Sequence, residues 1–133
     1  MPLRCVIVDD SLDLLRAARR LLEGQGVAVV GVAACSEQAR SLIAELQPDV
    51  ALVDVVLGAE SGFDLVRGLA STPESAGSHA ILMSTRDEAD FVELIASSPA
   101  IGFLAKSDLS ARAIDRLLTR VRDQAGDGRD EGE

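Results

Sequence analysis

Five short apolar runs punctuate the chain: Leu3–Val8, Val27–Ala33, Val50–Val53, Ala80–Met83 and Ile101–Ala105. They are rich in Val and Ile and do not alternate with polar residues. Strands buried on both faces of a parallel sheet read this way. Between the runs the spacing turns helical. Leu12, Leu15, Arg19 and Leu22 recur at three to four residues, and Gly24 and Gly26 stop that helix. Ser36 reads as the N-cap of a second helix reaching Leu46, ended by Pro48. A third runs from Ser61 to Leu69, and Ser71–Ser78 reads as loop. A fourth spans Asp87–Ala96, before Pro99. The fifth spans Leu109–Asp123, with Ile114, Leu117, Leu118 and Val121 as its buried stripe and Ser107 or Asp108 as its cap.

Strict strand–helix alternation implies right-handed crossovers onto one parallel sheet. The expectation is a single α/β domain over residues 1–122. Its five-stranded sheet is doubly wound in the flavodoxin-like order 2-1-3-4-5. Helices one and five would cover one face and helices two to four the other. Residues 123–133 hold five acids, three glycines and one Arg. With no apolar stripe, they read as a disordered tail or linker.

Composition narrows the function classes. Apolar residues make up 47% of the 133, enough for a sizeable core. Net charge is −9, and Trp and Tyr are absent. Direct nucleic-acid binding is disfavoured, because counter-charge for phosphates and stacking platforms for bases are both missing. No apolar run approaches the roughly 20 residues of a membrane span, and no signal peptide is visible, so a cytoplasmic protein is expected. Cys5 and Cys35 read as two reduced structural thiols. His79, the one histidine, reads as a solvated loop residue. Twelve Arg accompany a lone lysine, Lys106, a compact point charge that a guanidinium fork does not replace at a tight site.

The chemistry collects at strand ends. The first strand ends in Asp9-Asp10, the third in Asp54, the fourth in Ser84-Thr85 and the fifth in Lys106. Ligands of open α/β sheets bind beyond the carboxyl ends of the strands, where strand order reverses. Here that point lies between strands one and three, which carry the three acids. At about 5 Å and an effective dielectric near 20, each carboxylate pair costs roughly 3 kcal/mol. A hard divalent ion such as Mg²⁺ would hold them, with Lys106 as a further positive charge. Singly, each residue has a plainer reading: Asp9-Asp10 as a helix cap, Asp54 as a turn residue, Ser84 as a strand-end hydroxyl.

As a set, these residues resemble the receiver (CheY-like) domain of bacterial two-component response regulators. The resemblance covers residue 3 to about 122. It rests on Asp9-Asp10, on Asp54 with Gly62 eight residues later, on Ser84, and on Gly102-Phe103-Leu104-Ala105-Lys106. The wording Lys106-Ser107-Asp108-Leu109 looks like the NarL/LuxR-type branch, usually joined to a helix-turn-helix domain. The resemblance implies that Asp54 accepts a phosphoryl group from the phosphohistidine of a histidine kinase. Asp10, Asp54 and the backbone carbonyl of Val56 would hold Mg²⁺, with Asp9 acting through water. Lys106 would pair with a phosphoryl oxygen, Ser84 would donate to another, and Phe103 would swing inward to reshape the face of helix four, strand five and helix five. Val56, Thr85 and Arg86 stand where the family tunes access and phosphoryl lifetime. Gly58 replaces a frequent Pro. Ser107 replaces the usual cis Pro, and a trans Lys106–Ser107 bond is expected.

Those roles describe a phosphorylation-controlled switch and not an enzyme: a phosphoacceptor that assists its own phosphoryl transfer and dephosphorylation. The alternative is an unphosphorylated interaction module. A haloacid dehalogenase-type phosphohydrolase wants a second acid two residues after its nucleophile, where this chain has Val56. A P-loop is absent. Expected partners are the kinase, a second copy of the chain, and a DNA-binding output domain if the chain is a fragment. Arg16, Arg19 and Arg20 with Arg112, Arg116 and Arg120 suggest one basic patch across helices one and five, while the acids Asp87, Glu88, Asp90 and Glu93 cluster on helix four.

Overall fold

The computed structural model describes residues 2–131, and the surroundings of side chains as far as Asp123. The elements are β1 (Arg4–Val8), α1 (Leu12–Gly24), β2 (Ala28–Ala33), α2 (Ser36–Leu46), β3 (Val50–Asp54), β4 (Val56–Leu57), β5 (Glu60–Ser61), α3 (Gly62–Ala70), β6 (His79–Ser84), α4 (Val92–Ala96), β7 (Gly102–Ala105) and α5 (Ala111–Glu131). Single 3₁₀ turns precede α4 (Glu88–Phe91) and α5 (Lys106–Asp108). The main sheet runs β2-β1-β3-β6-β7, all parallel. This is the expected order, because β4 and β5 form a separate antiparallel hairpin.

The unalternating strands are buried on both sides, as their composition requires. Val6, Val8, Val53 and Leu82 point to one face, where Ile43 of α2 and Leu65 and Val66 of α3 cover them. Cys5, Ile7, Leu52, Ile81 and Met83 point to the other, under Leu15 and Leu22 of α1 and Ile114 and Leu118 of α5. Phe91 and Ile95 pack on the α2–α3 side, so helices divide between the faces as expected. Cys5 is wholly buried, and burial pushes its thiol up to about 12, where it is inert.

Helix boundaries depart from the spacing where local contacts override it. Ser36 is the first helical residue of α2, and the N-cap is Cys35, which makes no side-chain cap bond. The fourth helix splits because Phe91 leaves helical dihedrals (φ −128°, ψ 17°). Its ring sits between Phe63 and Phe103, with centroids 6.0 and 6.1 Å away. The fifth helix starts at Ala111 and not at Leu109. Neither Ser107 nor Asp108 caps it: Ser110 Oγ accepts the Ala113 N–H at 3.0 Å. α5 then continues to Glu131, through most of the segment expected to be a disordered tail. Once packed first turns supply the nucleus, propagation adds one hydrogen bond per residue fixed. Gly132 and Glu133 of that segment lie outside the described residues. His79 opens β6 and does not lie in a loop. No helix among the described residues is long and apolar enough to cross a membrane.

Candidate functional site

Three strand ends converge at the carboxyl edge of the sheet. Asp9 follows β1 and is fully buried; its Oδ1 accepts the Ser11 N–H at 2.8 Å. Ser11, and neither acid, caps α1: its Oγ accepts the Leu14 N–H at 3.2 Å. The helix-cap reading of the acidic pair therefore falls, and Asp10 stands exposed with its carboxylate free of that duty. Asp54 closes β3 at 6% exposure, with Oδ1 accepting the Val56 N–H at 3.3 Å. One oxygen each of Asp9, Asp10 and Asp54 lies within 4.8 Å of the others.

Lys106 enters from the end of β7, turned in by the 3₁₀ turn Lys106–Asp108. Its Nζ lies 2.7 Å from Asp9 Oδ2 and 3.2 Å from Asp54 Oδ2. The Asp54 contact is a hydrogen bond. The approach to Asp9 Oδ2 is shorter but poorly aligned, so this buried oxygen is charge-paired without a directed donor. Burial, then the Asp9 carboxylate, pushes the Asp54 carboxyl above its ordinary range, against the pull of Lys106 and the Val56 N–H. Burial would lower the Lys106 ammonium, but its contacts with Asp9 and Asp54 prevail and raise it.

Hard carboxylate oxygens converging on one point, one of them buried without a directed donor, suit a small divalent cation such as Mg²⁺. Gly62 makes the arrangement possible. A Cβ there would sit 2.0 Å from the Asp54 carbonyl oxygen, so only glycine lets α3 start against the end of β3. The hairpin between them places Val56 in the open at 56% exposure and Gly58 at φ +62°.

Ser84 ends β6 beside Ala105 of β7 and is 5% exposed. Its Oγ accepts the Arg86 N–H at 3.0 Å. Thr85 and Arg86 are exposed. The Arg86 guanidinium lies 5.3 Å from the Phe91 ring centroid and pairs with Asp90 at 3.4 Å. Phe103 is already buried, at 8% exposure. The chain's three phenylalanines, Phe63, Phe91 and Phe103, thus form one row, and Phe103 pairs with Leu82 of β6. Sequence spacing assigned Phe91 only to a helix. The β4–β5 hairpin was likewise unread, since two-residue strands leave no periodicity. The Lys106–Ser107 peptide is trans, because no described peptide bond is cis.

The sequence profile of the response regulator receiver domain matches residues 5–121. The chain belongs to the response regulator receiver domain family. Its curated relatives include a protein-glutamate methylesterase/protein-glutamine glutaminase of Myxococcus xanthus. That relative is 32% identical over 94% of this chain and 37% of its own length. The response regulator GacA of Pseudomonas aeruginosa is 33% identical over 76% of this chain and 47% of its own length. The chain therefore spans between a third and a half of these relatives. Among solved structures, the signal receiver domain of a NarL response regulator of Mycobacterium tuberculosis superposes with a TM-score of 0.75. It is 28% identical and covers 87% of this chain and 96% of that one.

One expectation is corrected by these relatives. The residues alone lead one to expect no enzyme but a phosphoacceptor that assists its own phosphoryl transfer and dephosphorylation. Yet the Myxococcus relative bears an enzyme's name, and the part of it that this chain matches is 37% of its length. Residues within a receiver domain carry no information about chemistry encoded in the rest of such a relative. Arg112, Arg116 and Arg120 line a groove of about 510 Å³ with Glu88, Ile95 and Phe103, and Arg16, Arg19 and Arg20 line a concavity with Glu23.

Proposed function

We propose that this receiver domain is a phosphorylation-controlled switch in which Asp54 takes a phosphoryl group from a histidine kinase. The N–P bond of the kinase phosphohistidine breaks as an Asp54 O–P bond forms, and the imidazole leaves as the kinase's own. Asp10, Asp54 and the Val56 carbonyl would hold Mg²⁺, with Asp9 acting through water. When bound, the ion supplies positive charge to the acids and to the incoming phosphoryl oxygens. Lys106, already against Asp54, would turn to a phosphoryl oxygen. Ser84, whose Oγ now accepts from the Arg86 N–H, would donate to another. Phe103, packed on Phe91, would then report the change to α4 and α5. Val56, Thr85 and Arg86 would govern how water and partners reach Asp54.

What supports this reading is the meeting of three carboxylates and the chain's one lysine at a sheet end where only a cation balances them. A histidine kinase as donor, a cytoplasmic location, and dimerisation through the groove beside α5 belong to the same proposal. The test is intact mass after incubation with acetyl phosphate and Mg²⁺. One added phosphoryl group is expected, absent in Asp54→Ala and absent with EDTA. Labelling that persists in Asp54→Ala would overturn the assignment.

A further inference from the structure

Helix α2 starts without a local acceptor for its leading N–H groups, since its N-cap Cys35 makes no side-chain bond. The missing acceptor arrives from 24 residues downstream: Glu60 Oε1 takes the Ser36 N–H at 3.1 Å. A carboxylate suits the positive end of a helix. Glu60 sits on the return strand of the β4–β5 hairpin, directly across from Leu57. The base of the hairpin is fixed by Val55 N–H to Met83 O at 3.0 Å and Gly62 N–H to Val55 O at 2.8 Å. Leu57 is sunk in the core, but Gly58 and Ala59 at the tip are exposed. That tip borders the acids, because a Cβ on Gly58 would lie 3.8 Å from Asp10 Oδ2.

We propose that Glu60 is a positioning residue for the acidic site: by tying the hairpin to α2 it holds the Val56 carbonyl and the Gly58 backbone against Asp10 and Asp54, and so sets the affinity for a divalent cation. The inference rests on the Mg²⁺ reading of the cluster given above. Glu60 touches neither the cation nor the phosphoryl group. It acts through the backbone of the five residues before it.

The experiment titrates Mg²⁺ into ¹⁵N-labelled protein, following the amides of Val56 and Gly58, and measures Tm in EDTA alongside. Glu60→Ala is expected to weaken Mg²⁺ binding about tenfold, the lower edge of what outer-shell partners of metal sites contribute. Glu60→Gln keeps an acceptor oxygen and should retain most of the affinity. Adding Cys35→Ser to Glu60→Ala gives α2 a cap of its own without retying the hairpin. That pair should recover Tm and not Mg²⁺ affinity. Unchanged affinity in Glu60→Ala, or recovery of both quantities by Cys35→Ser, would reduce Glu60 to a helix cap and overturn the proposal. If the wild type binds no Mg²⁺, the metal reading itself fails and takes this inference with it.

Discussion

Replacing Lys106 by methionine keeps the length and apolar stem of the side chain and removes its charge. Asp9 and Asp54, fully and almost fully buried, have carboxylate oxygens within 4.8 Å of each other. At an effective dielectric near 20 their repulsion is about 3.5 kcal/mol. The Lys106 ammonium lies at 2.7 and 3.2 Å from them, where each attraction is about 5–6 kcal/mol before its own desolvation is subtracted. Lys106→Met therefore strands two like charges in the interior. Breaking a buried pair in this way costs about 3–5 kcal/mol. The loss should depend on the metal. A cation among the acids takes over part of the neutralisation, so the variant should bind Mg²⁺ more tightly than the wild type. Ligand at a hundred times its Kd adds about 2.7 kcal/mol to stability, and tighter binding adds more. Urea unfolding of both proteins, in EDTA and in saturating Mg²⁺, measures this directly. The variant should lose about 3–5 kcal/mol in EDTA and clearly less in Mg²⁺. A loss below about 1 kcal/mol in EDTA, typical of an exposed pair, would refute the electrostatic account. So would an equal loss in both conditions.

Gly62→Ala puts a methyl group 2.0 Å from the Asp54 carbonyl oxygen, and backbone cannot yield as a side-chain tip can. It should destabilise by about 3 kcal/mol or more, read from the denaturant midpoint. Phe91→Ala removes both ring contacts of the phenylalanine row and should cost about 1–3 kcal/mol, with amide exchange rising in Glu88–Ala96 ahead of the sheet. Asp54 is raised in the folded protein by burial and by Asp9, so the folded state holds its proton more tightly than the unfolded one. In EDTA, the contribution of Asp54 to stability should fall as pH rises from its ordinary 3.8 through the folded value. Asp54→Asn should flatten that part of the stability–pH curve; an unaltered curve would show that Asp54 is not strained.

The sheet order was legible because all five strands are unalternating apolar runs, and a buried strand has no polar face to disguise it. The acids and Lys106 were legible for a related reason: each closes its strand or stands within two residues of its end, so topology alone brings them together. What escaped was decided by single contacts. Glu60 caps a helix far from it in sequence, and spacing cannot show an acceptor supplied from 24 residues away. Phe91 fits a helical pattern and yet breaks it, because its ring has partners on α3 and β7. The cap of α5 moved from Ser107 or Asp108 to Ser110 because the 3₁₀ turn that aims Lys106 uses the residues before it.

With no Trp and no Tyr, all aromatic circular dichroism of this molecule arises from three benzyl rings. Those rings stand in one row between α3, the turn before α4, and β7. The near-ultraviolet spectrum is therefore a signal from one place. Its fine structure is sensitive to the tilt of Phe91 against its two neighbours. The chain thus carries an unlabelled optical probe of that row, and a ligand at the acidic site that leaves the phenylalanine bands unaltered has not shifted it.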